Sequence, residues 1–402
     1  MIPRKISLAF IFILIYAIPS LVFVYFHQDS LASGMIIACF VVLIYSFNTI
    51  YFLTFRAIYF AIVLLLLFVL FIQSYYLLVT ESISKPFFSV PALFIIFISS
   101  LLLSFKLRRM PFEVVINSLR NATYFFFICG WVAIVFKLKI GPYSLFDKPV
   151  IPFSEESHYA LCIGFLGCTS GYFSNAKHKK FIFINLIGQS VLFPSLTLFI
   201  FSVLSIVIFW LTKNIAKLVF FSALMLACFI MSVNLFSDSI AFQYFSSRLN
   251  FSADSSNMTT LVFLQGIDDA YRSLMNTSGL GLGFQMAGTD QPGIYGYTIA
   301  HISGSFLNRT DGGFIASKLI SEFGIIGLLA VIWFCFKLIY GIRILGKNAS
   351  AENGSQDALF LPYVLLIVFS VEFLLRGYGY FSPGVLVFIT LYHLSKNIRG
   401  NR

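Results

Sequence analysis

Four arginines, Arg248, Arg272, Arg309 and Arg376, stand between the apolar runs of this chain rather than inside them. A guanidinium is a planar fork of donors that grips a diphosphate through paired hydrogen bonds. Several arginines on one side of a membrane therefore suit a lipid-linked diphosphate. The same intervals hold groups able to exchange a proton with an acceptor hydroxyl: Glu155, Glu156, His158, His301, Asp311 and Glu322. Each has a plainer reading. Arg376 follows Glu372 by one helical turn and Glu322 follows Lys318 by one, spacings that suit local ion pairs. A loop histidine such as His301 more often bonds to its loop than acts as a base. His178 and His393 fall at the opposite, cytoplasmic side and are set aside. The glycines of Gly279 to Gly288 follow no strand and precede no Lys-Ser/Thr, so they read as tight turns rather than a nucleotide loop.

The elements that must position these groups are membrane helices. Of 402 residues 59% are hydrophobic and 11% charged, where soluble domains carry about 25% charged residues. Mean hydropathy is +0.92. Lys and Arg outnumber Asp and Glu by 27 to 16, an excess that marks cytoplasmic loops rather than a nucleic-acid surface. The six cysteines lie in apolar runs without C-x-x-C spacing or histidines at ligand intervals, so they read as core thiols and no metal is expected. Arg4 and Lys5 precede an apolar run that continues to Phe26 with no small-residue cleavage site, which predicts an uncleaved first helix.

About 12 transmembrane helices are predicted, at roughly 6–26, 32–55, 57–79, 87–105, 118–137, 159–176, 181–193, 195–212, 218–236, 314–341, 359–375 and 380–395. With both termini cytoplasmic, Arg56, the Lys106 to Arg109 cluster, Lys177 to Lys180, Lys213 and Lys217 and the later basic clusters all fall inside. This requires the run from Phe181 to Leu211 to be two short crossings turning near Pro194, with Asn185, Gln189, Ser190 and Ser195 close to the turn. The chain then forms one integral membrane domain, 1–402, with a large outer loop at 237–313 and a smaller one at 138–158. Within the large loop Leu261, Leu264, Ile267, Tyr271, Leu274 and Met275 recur at helical spacing opposite Gln265, Asp268, Asp269 and Arg272. This predicts an amphipathic helix at about 258–276, lying along the outer membrane interface.

Three stretches carry more specific patterns. Phe153 to Leu161 is similar to F-x-E-P-S-H-x-A-L, with Glu156 in place of the proline. Leu261 to Gln285 is similar to L-V-Y-L-Q-G … G-L-G-x-G-F-Q, and Leu307 to Gly324 to L-N-x-x-D-G-G … S-K-x-I-x-E-F-G. In these places the chain resembles the Wzy-type O-antigen polymerases. The resemblance implies an all-α polytopic membrane protein of the bacterial inner membrane, GT-C-like and related to O-antigen ligases, whose large loop is periplasmic. It implies a metal-independent glycosyltransferase without cofactor that joins undecaprenyl-diphosphate-linked oligosaccharide repeat units at the periplasmic face and releases undecaprenyl diphosphate. It also implies a chain-length-determining co-polymerase as partner, and no nucleic acid. On this reading Arg248, Arg272 and Arg376 bind diphosphate. Glu155, His158 or Glu322 serves the acceptor hydroxyl, and Gln265, Gln285, Asp311 and His301 contact sugars. Two other readings stand beside it. A lipid-linked oligosaccharide flippase should show polar residues deep in several helices and repeated halves, which this chain lacks. An O-antigen ligase needs the same diphosphate grip and differs only in its acceptor.

Overall fold

The computed structural model describes residues 7–28, 30–52, 57–146, 148–193, 195–211, 257–348 and 358–400. The predicted span 218–236, Arg248, Pro194, Arg4 and Lys5 lie outside the described residues. The helices are α1 (Leu8–Tyr25), α2 (Ala32–Ser46), α3 (Ala57–Glu81), α4 (Lys85–Leu107), α5 (Phe112–Phe136), α6 (Glu156–Tyr172), α7 (Ala176–Leu192), α8 (Leu196–Ile206), α9 (Met258–Asn276), α10 (Ile294–Ser303), α11 (Ile315–Asn348), α12 (Leu361–Leu374) and α13 (Pro383–Gly400). Among the described residues six helices, α1 to α5 and α11, are long and apolar enough to cross a membrane, and α8, α12 and α13 are apolar but shorter. The protein is a helical membrane protein.

The centre of the bundle is α6, in which every residue from Tyr159 to Tyr172 is buried. It packs against α5, α8 and α12. A helix that is apolar on all sides belongs inside a bundle, and small residues let neighbours approach it closely. A Cβ on Gly164 would collide with the Phe201 ring of α8, and one on Gly171 with the Phe209 ring. In contrast α3 exposes Leu65, Leu66, Phe68, Ile72 and Tyr76, as a lipid-facing helix does. The polar residues of α7 are taken up by protein partners. Trp131 donates to Asn185 at 2.8 Å, Gln189 donates to the Phe127 carbonyl at 3.0 Å, and the Tyr159 hydroxyl donates to the Gln189 amide oxygen.

Helix α9 spans the predicted residues, but its polar arc faces inward. Gln265, Asp269 and Ser273 are buried, whereas Ile267, Tyr271 and Met275 are exposed. The reason is Arg309, only 8% exposed, which lies 3.6 Å from Asp269 and 3.1 Å from Asp290; Ser273 bonds the second oxygen of Asp290. A buried guanidinium needs carboxylates around it, and α9 can supply one only by turning this arc towards it.

Helix α11 is broken at Gly324, whose φ of 56° and ψ of −128° are not helical. A break frees carbonyls and amides that must be satisfied elsewhere. The glycine loop before α10 supplies the partners: Leu282 and Gly283 donate to the Ser321 and Glu322 carbonyls, and Ile325 donates to the Gly279 carbonyl, each at 2.8 Å. This backbone-on-backbone contact is what the glycines permit. A Cβ on Gly281 would lie 2.5 Å from both the Glu322 carbonyl oxygen and the Gly324 nitrogen.

Candidate functional site

The ends of α1, α2, α4, α6 and α11 and the turn between α12 and α13 converge on a cavity of about 400 Å³. These are the ends that the charge pattern assigns to one side of the membrane. Its lining includes the apolar Phe23, Leu31, Ile36 and Phe88 and the polar or charged Lys85, Glu155, His158, Gln285, Asp311, Lys318 and Arg376.

Glu155 is the N-cap residue of α6. Its carboxylate is held from three sides: His158 Nε2 lies 3.2 Å from Oε1, the Ser157 hydroxyl donates to Oε2 at 2.9 Å, and Arg376 Nη2 stands 3.7 Å from Oε2. Burial alone would push this carboxyl up, but His158, Arg376 and the Ser157 hydroxyl together hold it below its usual range. His158 stands at the start of α6, with the Ser154 hydroxyl 3.3 Å from Nδ1 and the Tyr378 ring edge-on at 4.2 Å. Burial lowers its pKa to about 4 against the pull of Glu155, and the Arg376 charge adds to the fall. The imidazole is therefore neutral at pH 7, and the hydrogen bonds favour the proton on Nε2, facing Glu155.

Two local features shape the preceding loop. Lys137 ends α5 in the left-handed conformation, and the buried Tyr143 hydroxyl donates to the Pro152 carbonyl at 2.8 Å. On the far side, Asn308, Gly312 and Gly313 all adopt positive φ, turning the chain sharply into α11. That turn sets the Thr310 carbonyl against Lys318 Nζ at 3.0 Å and Lys85 Nζ at 3.4 Å. Lys318 also reaches Gln285 Oε1 at 3.4 Å and Glu322 at 3.8 Å. The Gln285 amide nitrogen, buried in the wall, has no hydrogen-bond partner among the described residues.

The structure brings together Glu155, His158, Arg376, Gln285 and Asp311. Glu322 does not line the cavity; it lies beneath Lys318, near the Tyr380 hydroxyl and the backbone amides of Gln285 and Ala287. The ion pair expected between Arg376 and Glu372 is absent, because Arg376 pairs with Glu155 and the Glu372 carboxylate accepts from Ser382. Gln265 is turned away into the Arg309 network, where it donates to Asp269 at 3.4 Å. Arg272 packs beside Gly293 on α9 and His301 is exposed on α10, both off the cavity. Arg309 is the cation that orders the loop rather than one facing the cavity.

Two cations of the site, Lys85 and Lys318, were not among the predicted binding residues. Lys85 had the same sequence signal as the arginines: a positive charge on the side where such charges are disfavoured. The spacing of Lys318 to Glu322 predicted a local pair, and it is one, but Lys318 also lines the cavity. No family model matches the chain, and neither a curated protein nor a solved structure matches it.

Proposed function

We propose that this protein is a metal-independent glycosyltransferase that polymerises lipid-diphosphate-linked oligosaccharide units at the outer face of a bacterial inner membrane. The fold on this reading is a bundle of about 12 spans, GT-C-like, with cytoplasmic termini and the 237–313 loop in the periplasm. The observation that carries the reading is the make-up of the cavity. Lys85, Lys318 and Arg376 line it together with a fixed carboxylate, Glu155, and apolar residues of α1, α2 and α4. Such a site accepts a charged headgroup with its lipid still attached.

Glycosyl transfer from a diphosphate needs a stabilised leaving group and a base for the nucleophile. The acceptor hydroxyl attacks the anomeric carbon as the carbon–oxygen bond to the diphosphate breaks. The departing oxygen keeps the electron pair, and preorganised cations hold the charge that develops there. Glu155 takes the hydroxyl proton, while His158 and Arg376 orient its carboxylate. Gln285 and Asp311 line the space for sugar hydroxyls.

The test is reconstitution of purified protein in vesicles with a lipid-diphosphate-linked repeat unit as sole substrate. A ladder of polymers with release of lipid diphosphate is expected. Products only when a lipid A core acceptor is added would make the protein a ligase. Movement of intact units across the vesicle without new bonds would make it a flippase.

A further inference from the structure

At the end of the bundle away from the cavity lies a second depression, of about 610 Å³, between Lys337, Tyr340 and Arg343 of α11, Tyr363 and Leu366 of α12 and Tyr392 of α13. Lys337 is nineteen residues beyond Lys318 on α11, which as unbroken helix would be roughly 28 Å, close to the thickness of a bilayer core. Lys337 and Arg343 are both exposed, and among the described residues no carboxylate lines the groove. The groove is thus cationic and rimmed by aromatic rings, the make-up of a headgroup site at a membrane interface.

Its outer lip continues as an apolar track. Phe336, Trp333, Ile332, Leu329, Ile326 and Ile325 are exposed at three- and four-residue steps along one side of α11. From Phe336 to Ile325 this track runs about 16 Å, which matches the roughly 15 Å hydrocarbon depth of one leaflet. Lys337 lies over the Trp333 ring at 5.6 Å, so a cation stands where track and groove meet.

We propose that this groove binds an anionic membrane phospholipid, with its phosphodiester between Lys337 and Arg343 and one acyl chain along the exposed row of α11. The inference rests on the membrane character of the protein and not on the activity proposed for the outer cavity, and its test reads binding alone. Protein purified in detergent would be equilibrated with equal amounts of phosphatidylglycerol and phosphatidylcholine, and the lipid retained counted by native mass spectrometry. Phosphatidylglycerol should be retained preferentially. The double variant Lys337→Ala/Arg343→Ala should lower that retention about tenfold, since each interfacial cation contributes measurably to anionic-lipid attraction. The charge-keeping Lys337→Arg/Arg343→Lys pair should preserve it, as should Lys139→Ala, which removes an exposed cation at the other end. Equal retention of the two lipids overturns the proposal. So does a charge-keeping pair that binds as poorly as the alanine pair, or displacement of the lipid by soluble glycerol phosphate, which would make this a free-phosphate site.

Discussion

Arg376 and Glu155 stand 3.7 Å apart and join the turn after α12 to the cap of α6. The contact fixes both ends of the candidate chemistry. With His158, Arg376 holds the Glu155 carboxyl below its usual range, and Glu155 anchors a guanidinium whose five donors exceed what one carboxylate uses.

On the proposed function, Arg376→Ala should therefore remove a diphosphate donor and loosen the base together. Losing one preorganised donor costs about 10²- to 10³-fold in rate, enough to abolish a polymer ladder. Arg376→Lys keeps the charge but not the fork and should recover only part of the rate. Glu155→Gln should lose about 10²- to 10⁴-fold, the usual worth of a general base. Vesicle assays at matched protein level check this; ladders of normal length from Arg376→Ala would remove it from the site.

The pH dependence of stability has a defined sign. His158 titrates near 4 in the fold against an ordinary 6.5, so the unfolded chain binds more protons in between. Its contribution is present above about pH 6.5 and is lost as the pH falls towards 4. Glu155, held below its usual range, acts in the same direction. The melting-temperature advantage of wild type over His158→Gln should shrink between pH 7 and pH 5. A gap that widens on acidification would mean that the imidazole is charged in the fold.

The Arg309 network should matter to folding rather than to chemistry. Arg309→Ala leaves Asp269 and Asp290 without their buried cation, and breaking one partner of such a pair costs about 3–5 kcal/mol. Asp269 is already pushed up to about 6, chiefly by burial, so losing Arg309 would push it higher. The expected result is a lower melting temperature and faster proteolysis between α9 and α10. Wild-type proteolysis would sink this role.

Two glycines with similar φ should respond differently to alanine. Gly304 has a φ of 77° and open space around its Cβ position, so Gly304→Ala carries only the left-handed strain. That is about 1–2 kcal/mol. Gly281, with a φ of 82°, adds collision with the backbone of α11. Gly281→Ala should push the loop off the broken helix and displace Gln285, lowering both yield and polymerisation. Comparable melting temperatures for the two variants would contradict this packing.

These cases show which parts of the molecule could be read in the sequence. Long apolar runs bounded by charge gave most helices to within a few residues, because a bilayer sets their length and composition. The facing of α9 could not be read, since its hydrophobic arc predicts an inward side only when the surroundings are water. Here Arg309, forty residues from Asp269, decides the rotation. Glu155, His158 and Arg376 were legible as charged groups beside apolar runs, but their meeting was not, because Arg376 had an equally good local partner in Glu372 on spacing alone. Lys85 was missed by weighing only arginines.

Lys318 and Glu322 offer the sharpest separation of a structural ion pair from a functional cation. Both side chains are buried and lie 3.8 Å apart. Lys318→Met alone leaves an uncompensated carboxylate, at a cost of about 3–5 kcal/mol, and lost activity in that variant could be lost folding. The double variant Lys318→Met/Glu322→Gln removes both charges, and replacing a buried pair as a unit is often close to neutral. Its melting temperature should return most of the way to wild type. If the pair were only structural, the polymer ladder would return with it. With the Lys318 ammonium holding diphosphate at the cavity, stability returns and polymerisation does not. Lys85→Met, which disturbs no ion pair with Glu322, should then weaken donor binding without the loss of stability.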